Sequence, residues 1–241
     1  MRIAIITGGS KGLGLSLCLQ LRDRGYRAIE FSRSAPHEFS VIADLASPEE
    51  SHRAILRTIE GMESEPIEDI VVINNAGTLE PIGPAFRKSH QAVIANMNTN
   101  FTSAILFVTA VVGQFQSVAC RKVIANISSG AALHGYAGWT LYCAAKAGLE
   151  NFVCALAAEQ KQEVHPFIPV NINPGVIDTE MQALIRATNA SDFPDVGRFV
   201  RRKQQGELAA PTAVAAAILR IVESPTLEFG ARYNVADYFS G

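Results

Sequence analysis

Short β-branched runs alternate with longer helical stretches from one end of this chain to the other. "IAIIT" (3–7), "AIEFS" (28–32), "IVVIN" (70–74), "KVIANIS" (122–128) and "VNIN" (170–173) are almost continuously apolar. Strands buried on both faces read this way, and helices on both faces of a parallel sheet bury them so. The intervening segments suit those helices. "LGLSLCLQLRDRG" (13–25) closes on Gly25, and "SPEESHRAILRTIEGM" opens with Ser47, Pro48 and Glu50, the pattern of a capping box with proline at the first helical position. Further helical stretches cover about 87–118 and 142–160, another follows Pro211, and a last strand falls near Arg232–Val235. The expectation is one α/β domain over 1–241, a doubly wound parallel sheet. Only about 176–210 breaks the rhythm. It is polar, carries Pro194 and reads as a lid of short helices over a site.

Composition narrows the chemistry. With 241 residues, 48% hydrophobic and 18% charged, the chain can bury a large core. A net charge of −2 advertises no affinity for nucleic acid. The four cysteines (Cys18, Cys120, Cys143, Cys154) have no C-x-x-C spacing and read as reduced thiols. The five histidines form no ligand array, so no metal site is expected. The apolar start "MRIAIITGG" is too short for a signal peptide or a membrane span, which makes a soluble cytoplasmic protein the expectation.

The first strand runs into "TGGSKGLG" (7–14) and then into a helix. Glycines at 8, 9, 12 and 14 permit a tight turn and close approach of a pyrophosphate, which the helix N-terminus attracts. A bland strand–helix connection would look similar. Gly8–Gly12 also fits G-x-S-x-G, a serine hydrolase elbow with Ser10 as nucleophile, but only seven residues precede it, too few for the strands that build an oxyanion hole. The second strand ends "FSRS", with Ser32 where an acid would grip ribose hydroxyls, then Arg33. Arg33 and Lys11 together favour the 2′-phosphate of NADP(H), unless both are simply solvated surface cations.

"YCAAK" places Tyr142 and Lys146 four apart, on one face of a helix. Alone, such a pair reads as structural. Together with T-G-x-x-x-G-x-G and "NNAG" at 74–77, it makes the chain resemble the short-chain dehydrogenase/reductase family over nearly its whole length. That resemblance implies a Rossmann-type sheet and a dinucleotide held by Gly8, Ser10, Lys11, Gly12, Leu13, Gly14, Arg33, Asp44, Leu45, Asn75, Ala76 and Gly77. Tyr142, Lys146, Pro174, Gly175, Val176 and Thr179 complete the implied set. It further implies Tyr142 as proton donor, with Lys146 lowering the phenol's pKa and holding ribose. The family's serine lies thirteen residues before its tyrosine, which selects Ser129 over Ser128. The family's asparagine, which bends a helix and carries a proton relay, falls on Asn100, with Asn98 as the alternative. Many members pair through these helices, so a homodimer is expected, with a tetramer as the larger possibility.

The stretch from "DTEMQ" (178–182) onward, including Arg186, is similar to the lid of sepiapterin reductases and bacterial benzil reductases. The implied substrate is a small-molecule ketone or vicinal diketone, reduced with NADPH. A 3-oxoacyl thioester is the alternative within the family, and a non-catalytic NADP-sensing protein the alternative outside it. Sepiapterin reductases grip the pterin with an acid near the chain end. That position aligns with Asn234, with Asp237 just beyond, which favours an apolar diketone. Trp139 and Met181 are expected to line the substrate pocket, although Trp139 suits core packing equally well, and Gln182 suits either lining or seating the lid.

Overall fold

The computed structural model describes residues 1–62 and 66–239. Seven parallel strands form one sheet: β1 (Arg2–Thr7), β2 (Tyr26–Ser32), β3 (Ser40–Ile42), β4 (Asp69–Asn74), β5 (Arg121–Ile127), β6 (Ile168–Asn173) and β7 (Arg232–Asn234). Their spatial order is β3-β2-β1-β4-β5-β6-β7. The order reverses between β1 and β4, so the crevice for a ligand opens there, beyond the carboxyl ends of the strands.

Period-two alternation divides the core. Ala4 and Ile6 of β1, with Val71 and Ile73 of β4, face α1 (Gly12–Asp23) and α8 (Pro211–Val222). Ile3, Ile5, Ile70 and Val72 face α2 (Pro48–Ile59) and α4 (Ser103–Phe115) on the other side, where Leu156 of α5 (Thr140–Gln160) also packs. All eight strand side chains are fully buried. Each contributes about 1.5–3 kcal/mol if large, and a one-residue slip would turn every one of them to the wrong face.

Two polar devices hold the sheet together. Thr7 Oγ1 donates to Asn74 Oδ1 at 3.3 Å, Asn74 Nδ2 to Asn126 Oδ1 at 2.9 Å, and Asn126 Nδ2 to Asn171 Oδ1 at 2.8 Å. These residues are register partners on β1, β4, β5 and β6, so the chain of amides runs straight across the sheet. Lys122, fully buried in β5, donates to the carbonyls of Phe115, Gln116 and Val118 at 3.0, 3.0 and 2.7 Å, satisfying the end of α4.

Some expectations are corrected. The edge strand β3, three residues long, went unread. Ser47 is the N-cap of α2 with Pro48 after it, but its side chain makes no capping bond, so the expected capping box is not formed. The stretch at 87–118 is not one helix: α3 (His90–Met97) passes through a π-helical turn at Asn98–Thr102 before α4. Within 176–210 lie α6 (Glu180–Ala187) and α7 (Val196–Gln204), the short helices expected there. α5 is the one helix among the described residues long and apolar enough to cross a membrane. Tyr142, Lys146, Leu149 and Val153 are nevertheless buried along it, as on a helix covering a sheet.

Candidate active site

The glycine-rich turn joins β1 to α1, and its geometry depends on missing side chains. Gly8 (φ +71°) and Gly12 (φ +57°) occupy left-handed backbone that other residues avoid. A Cβ on Gly14 would stand 2.0 Å from the Gly8 carbonyl oxygen, and one on Gly8 would stand 2.9 Å from Ala76 Cα. "NNAG" braces this turn from β4: Asn75 Nδ2 donates to the carbonyls of Thr7 and Gly8 at 3.1 and 2.9 Å, while the Asn75 and Ala76 amides donate to Thr7 Oγ1. No side chain caps the N-terminus of α1, leaving its first-turn N–H groups for an anion. Thr179 caps α6 without a side-chain bond, and its Cγ2 would lie 3.5 Å from a Cβ on Gly12, so it overlooks the turn. A backbone this bare, at an uncapped helix start, fits a pyrophosphate.

The surrounding charges are only partly those expected. Arg33 is exposed, and among the described residues no side chain bonds it. Lys11 is not a free cation: it is ion-paired with Glu180 at the start of α6. An acid is also present, two residues before Ser32. Glu30 is fully buried; its Oε2 accepts the Gly9 amide at 3.0 Å, and its Oε1 accepts the hydroxyls of Ser32 (2.9 Å) and Ser40. This carboxylate shapes the glycine turn from beneath. Its place inside an apolar strand hid it from sequence reasoning, and the contact of His37 Nε2 with the Ser10 carbonyl at 3.1 Å was equally out of reach. Asp44 accepts the Ala46 amide, and Leu45 is buried with its carbonyl bonded by Ser103, which fixes the turn after β3. Pro174, Gly175 (φ +74°) and Val176 carry the chain from β6 towards α6.

Ser129, Tyr142, Lys146 and Asn100 converge at the other end of the crevice. Ser129 follows β5; its Oγ accepts the Ala131 amide at 3.1 Å, and its hydroxyl acts on the Tyr142 phenol, lowering its pKa. Ser128 is directed elsewhere, to Glu150. Lys146 Nζ donates to the Ile127 carbonyl at 2.7 Å and lies 5.7 Å from the centre of the Tyr142 ring. Asn100, in the π-helical turn, exchanges 2.8 Å bonds with both the amide and the carbonyl of Thr78 and donates to Asn96 Oδ1 at 3.0 Å. Gly77 lies between the last two: a Cβ there would be 3.2 Å from Asn100 Oδ1 and 3.9 Å from Lys146 Nζ. Asn98 instead donates to the Ala46 carbonyl, away from this group.

The expected acidification of Tyr142 by Lys146 is not what the electrostatics give. Burial pushes the phenol up to about 12, with Cys143 adding to the rise and the Ser129 hydrogen bond opposing it. Burial pushes Lys146 down to about 8, and Glu150 pulls it back up. At neutral pH the phenol therefore holds its proton, the state a proton donor requires.

Trp139 is buried in an aromatic cluster. It stacks on Phe193 (4.4 Å, 5°) from the 176–210 segment and meets Tyr142 edge-on at 6.2 Å, with Phe199 and Tyr136 against it. Met181 packs on this cluster. Gln182 is buried and accepts a bond from Arg186. Asn234 Oδ1 is engaged by Asn173 Nδ2 at 3.1 Å and by an Arg232 terminal nitrogen at 3.0 Å.

The short chain dehydrogenase family profile matches residues 2–190. Benzil reductase ((S)-benzoin forming) of Bacillus subtilis (strain 168) is 33% identical, covering 99% of this chain and 100% of its own. Sepiapterin reductase of Meriones unguiculatus is 28% identical, covering 98% and 96%. Among solved structures, the KRED1-Pglu enzyme superposes with a TM-score of 0.81 at 27% identity, covering 97% of this chain and 100% of that one. With this fold, this turn and this match, the chain belongs to the short-chain dehydrogenase family and is an oxidoreductase of carbonyl or alcohol groups.

Proposed function

We propose that the protein is an NADPH-dependent carbonyl reductase acting on ketones or vicinal diketones. The observation that carries this reading is a linked set of side chains, Asn100 and Lys146 on either side of Gly77, Lys146 beside the Tyr142 ring and Ser129 beside the Tyr142 phenol, in a crevice whose other end suits a pyrophosphate. Gly8, Gly12, Gly14 and the start of α1 would hold the diphosphate, Arg33 the 2′-phosphate, and Thr179 with Lys146 the nicotinamide half. A reduced nicotinamide, when bound, supplies hydride for the carbonyl carbon. The residues of the chain do the rest. Ser129 Oγ orients the carbonyl oxygen, and Tyr142 delivers a proton to it. The Lys146 ammonium stabilises the phenolate left behind, and Asn100 holds the path by which the proton is replaced. Trp139, Phe193 and Met181 exclude water and offer apolar walls to a planar substrate.

A diketone is favoured over a pterin because Asn234 is uncharged and its amide oxygen is already held by the sheet edge. The relatives named for benzil and sepiapterin reduction support the same class. For partners, a homodimer through the outer face of α5 is the accompanying proposal, and sedimentation velocity reads it directly.

The test is loss of nicotinamide absorbance with NADPH or NADH against benzil, sepiapterin and an acetoacetyl thioester. Fast turnover of NADPH with benzil, at least about tenfold above NADH, is expected. Preference for the thioester would move the substrate to acyl chains, and no turnover with any carbonyl would sink the reading.

A further inference from the structure

Tyr142, Lys146 and Glu150 follow one another at four-residue intervals and so occupy one face of α5. The third of them takes no part in the chemistry above, yet it is the most heavily engaged. Glu150 Oε1 accepts from Arg232 Nε at 2.9 Å and from the Ser128 hydroxyl. Its backbone carbonyl accepts from Asn171 Nδ2 at 3.2 Å, which ties it to the amide chain across the sheet. Arg232, on β7, donates through one terminal nitrogen to the Ser129 carbonyl at 3.3 Å and through the other to Asn234. The two side chains are only 13% and 23% exposed, so their attraction is little screened. Two adjacent residues at the end of β5 are thus gripped from one ion pair: Ser128 by its hydroxyl, Ser129 by its carbonyl.

We propose that Glu150 and Arg232 are positioning residues: together they fix the strand end that carries Ser129, and Glu150 supplies the negative charge that faces Lys146. The role of Ser129 rests on the carbonyl reductase reading; the electrostatic part does not. Lys146 meets Tyr142 and Glu150 on its own helix, with Cys143 beside the phenol. From β5 it meets the neutral Ile127 carbonyl, and across Gly77 the neutral Asn100 amide. Glu150 is therefore the anion that offsets its burial, and Arg232 tempers that anion. A pair that merely pinned β7 to the body of the protein would leave the Lys146 charge where it is.

The experiment is a lysine-¹³Cε NMR titration of the full chain, with Lys146 assigned from Lys146→Arg, in wild type, Glu150→Gln and Arg232→Gln. It requires neither cofactor nor substrate. Glu150→Gln keeps an acceptor for both partners but removes the charge, so the Lys146 midpoint should fall by about one pH unit. Arg232→Gln leaves the carboxylate uncompensated, so the midpoint should rise. Opposite shifts are the signature of the proposal. Unmoved midpoints, or shifts of the same sign in both variants, would overturn it. Steady-state rates read the other half: Arg232→Gln should lower kcat about tenfold through Ser129 while NADPH affinity holds, and a variant kcat equal to that of an active wild type would remove the positioning claim. A wild type inactive on every carbonyl tested would count against the proposed function, and the NMR result would stand apart from it.

Discussion

At the β1–α1 turn the site is made by what side chains leave out, whereas at the β5–β6–β7 end it is made by amides and charges put in. Gly8, Gly12 and Gly14 open backbone to an anion, and the polar side chains near them, Glu30, Thr7 and Asn75, hold the turn in shape. Starting beside that turn, Asn74, Asn126 and Asn171 bond one another across three strands, and Glu150 with Arg232 secures Ser128 and Ser129 just after β5. In the proposed function the first region would receive a group common to many ligands, to which it offers mainly backbone. The second must hold a hydroxyl, a phenol and an ammonium in mutual register, which backbone alone does not do.

The contrast breaks if either end tolerates the wrong kind of change. Gly14→Ala should be the most damaging, because its methyl would fall 2.0 Å from the Gly8 carbonyl oxygen and 2.7 Å from Asn75 Nδ2. A loss of about 3 kcal/mol or more, with cofactor binding abolished, is expected from denaturation and NADPH fluorescence titration. An unchanged melting temperature and affinity would show that the turn does not depend on missing side chains. Asn126→Ala acts at the other end and should be milder. It strands a buried donor on Asn74 and a buried acceptor on Asn171, a cost of about 2–4 kcal/mol. Urea denaturation reads this, and a midpoint equal to that of wild type would mean the amide chain is not what ties the strands.

The regular part of this molecule was legible because strands buried on both faces write uninterrupted apolar runs, and because glycines at 8, 12 and 14 have few other uses in one turn. Ser129 was reachable through its spacing to Tyr142 and Asn100 through the family resemblance; the structure puts Ser129 beside Tyr142 and Asn100 across Gly77 from Lys146. β3 escaped because three residues at a sheet edge, with Ile42 exposed, carry no alternation. Glu30 and Lys122 looked like interruptions of apolar strands; what satisfies them, the Gly9 amide and the carbonyls ending α4, appears only on folding. The partnership of Glu150 with Arg232 spans 82 positions of sequence. The raised phenol and lowered ammonium of Tyr142 and Lys146 were not legible for a simpler reason: spacing reveals which groups are neighbours, whereas burial belongs to the finished fold.

Tyr142→Phe tests the account most directly, since it removes one oxygen and leaves the aromatic packing against Trp139 in place. NADPH binding by fluorescence and turnover with benzil should be measured on the same preparation. The expected result is affinity within about twofold of wild type and kcat lower by about 10²–10⁴. Turnover surviving at the wild-type rate would contradict the assignment of Tyr142 as the proton donor, and with it the chemistry proposed for this site.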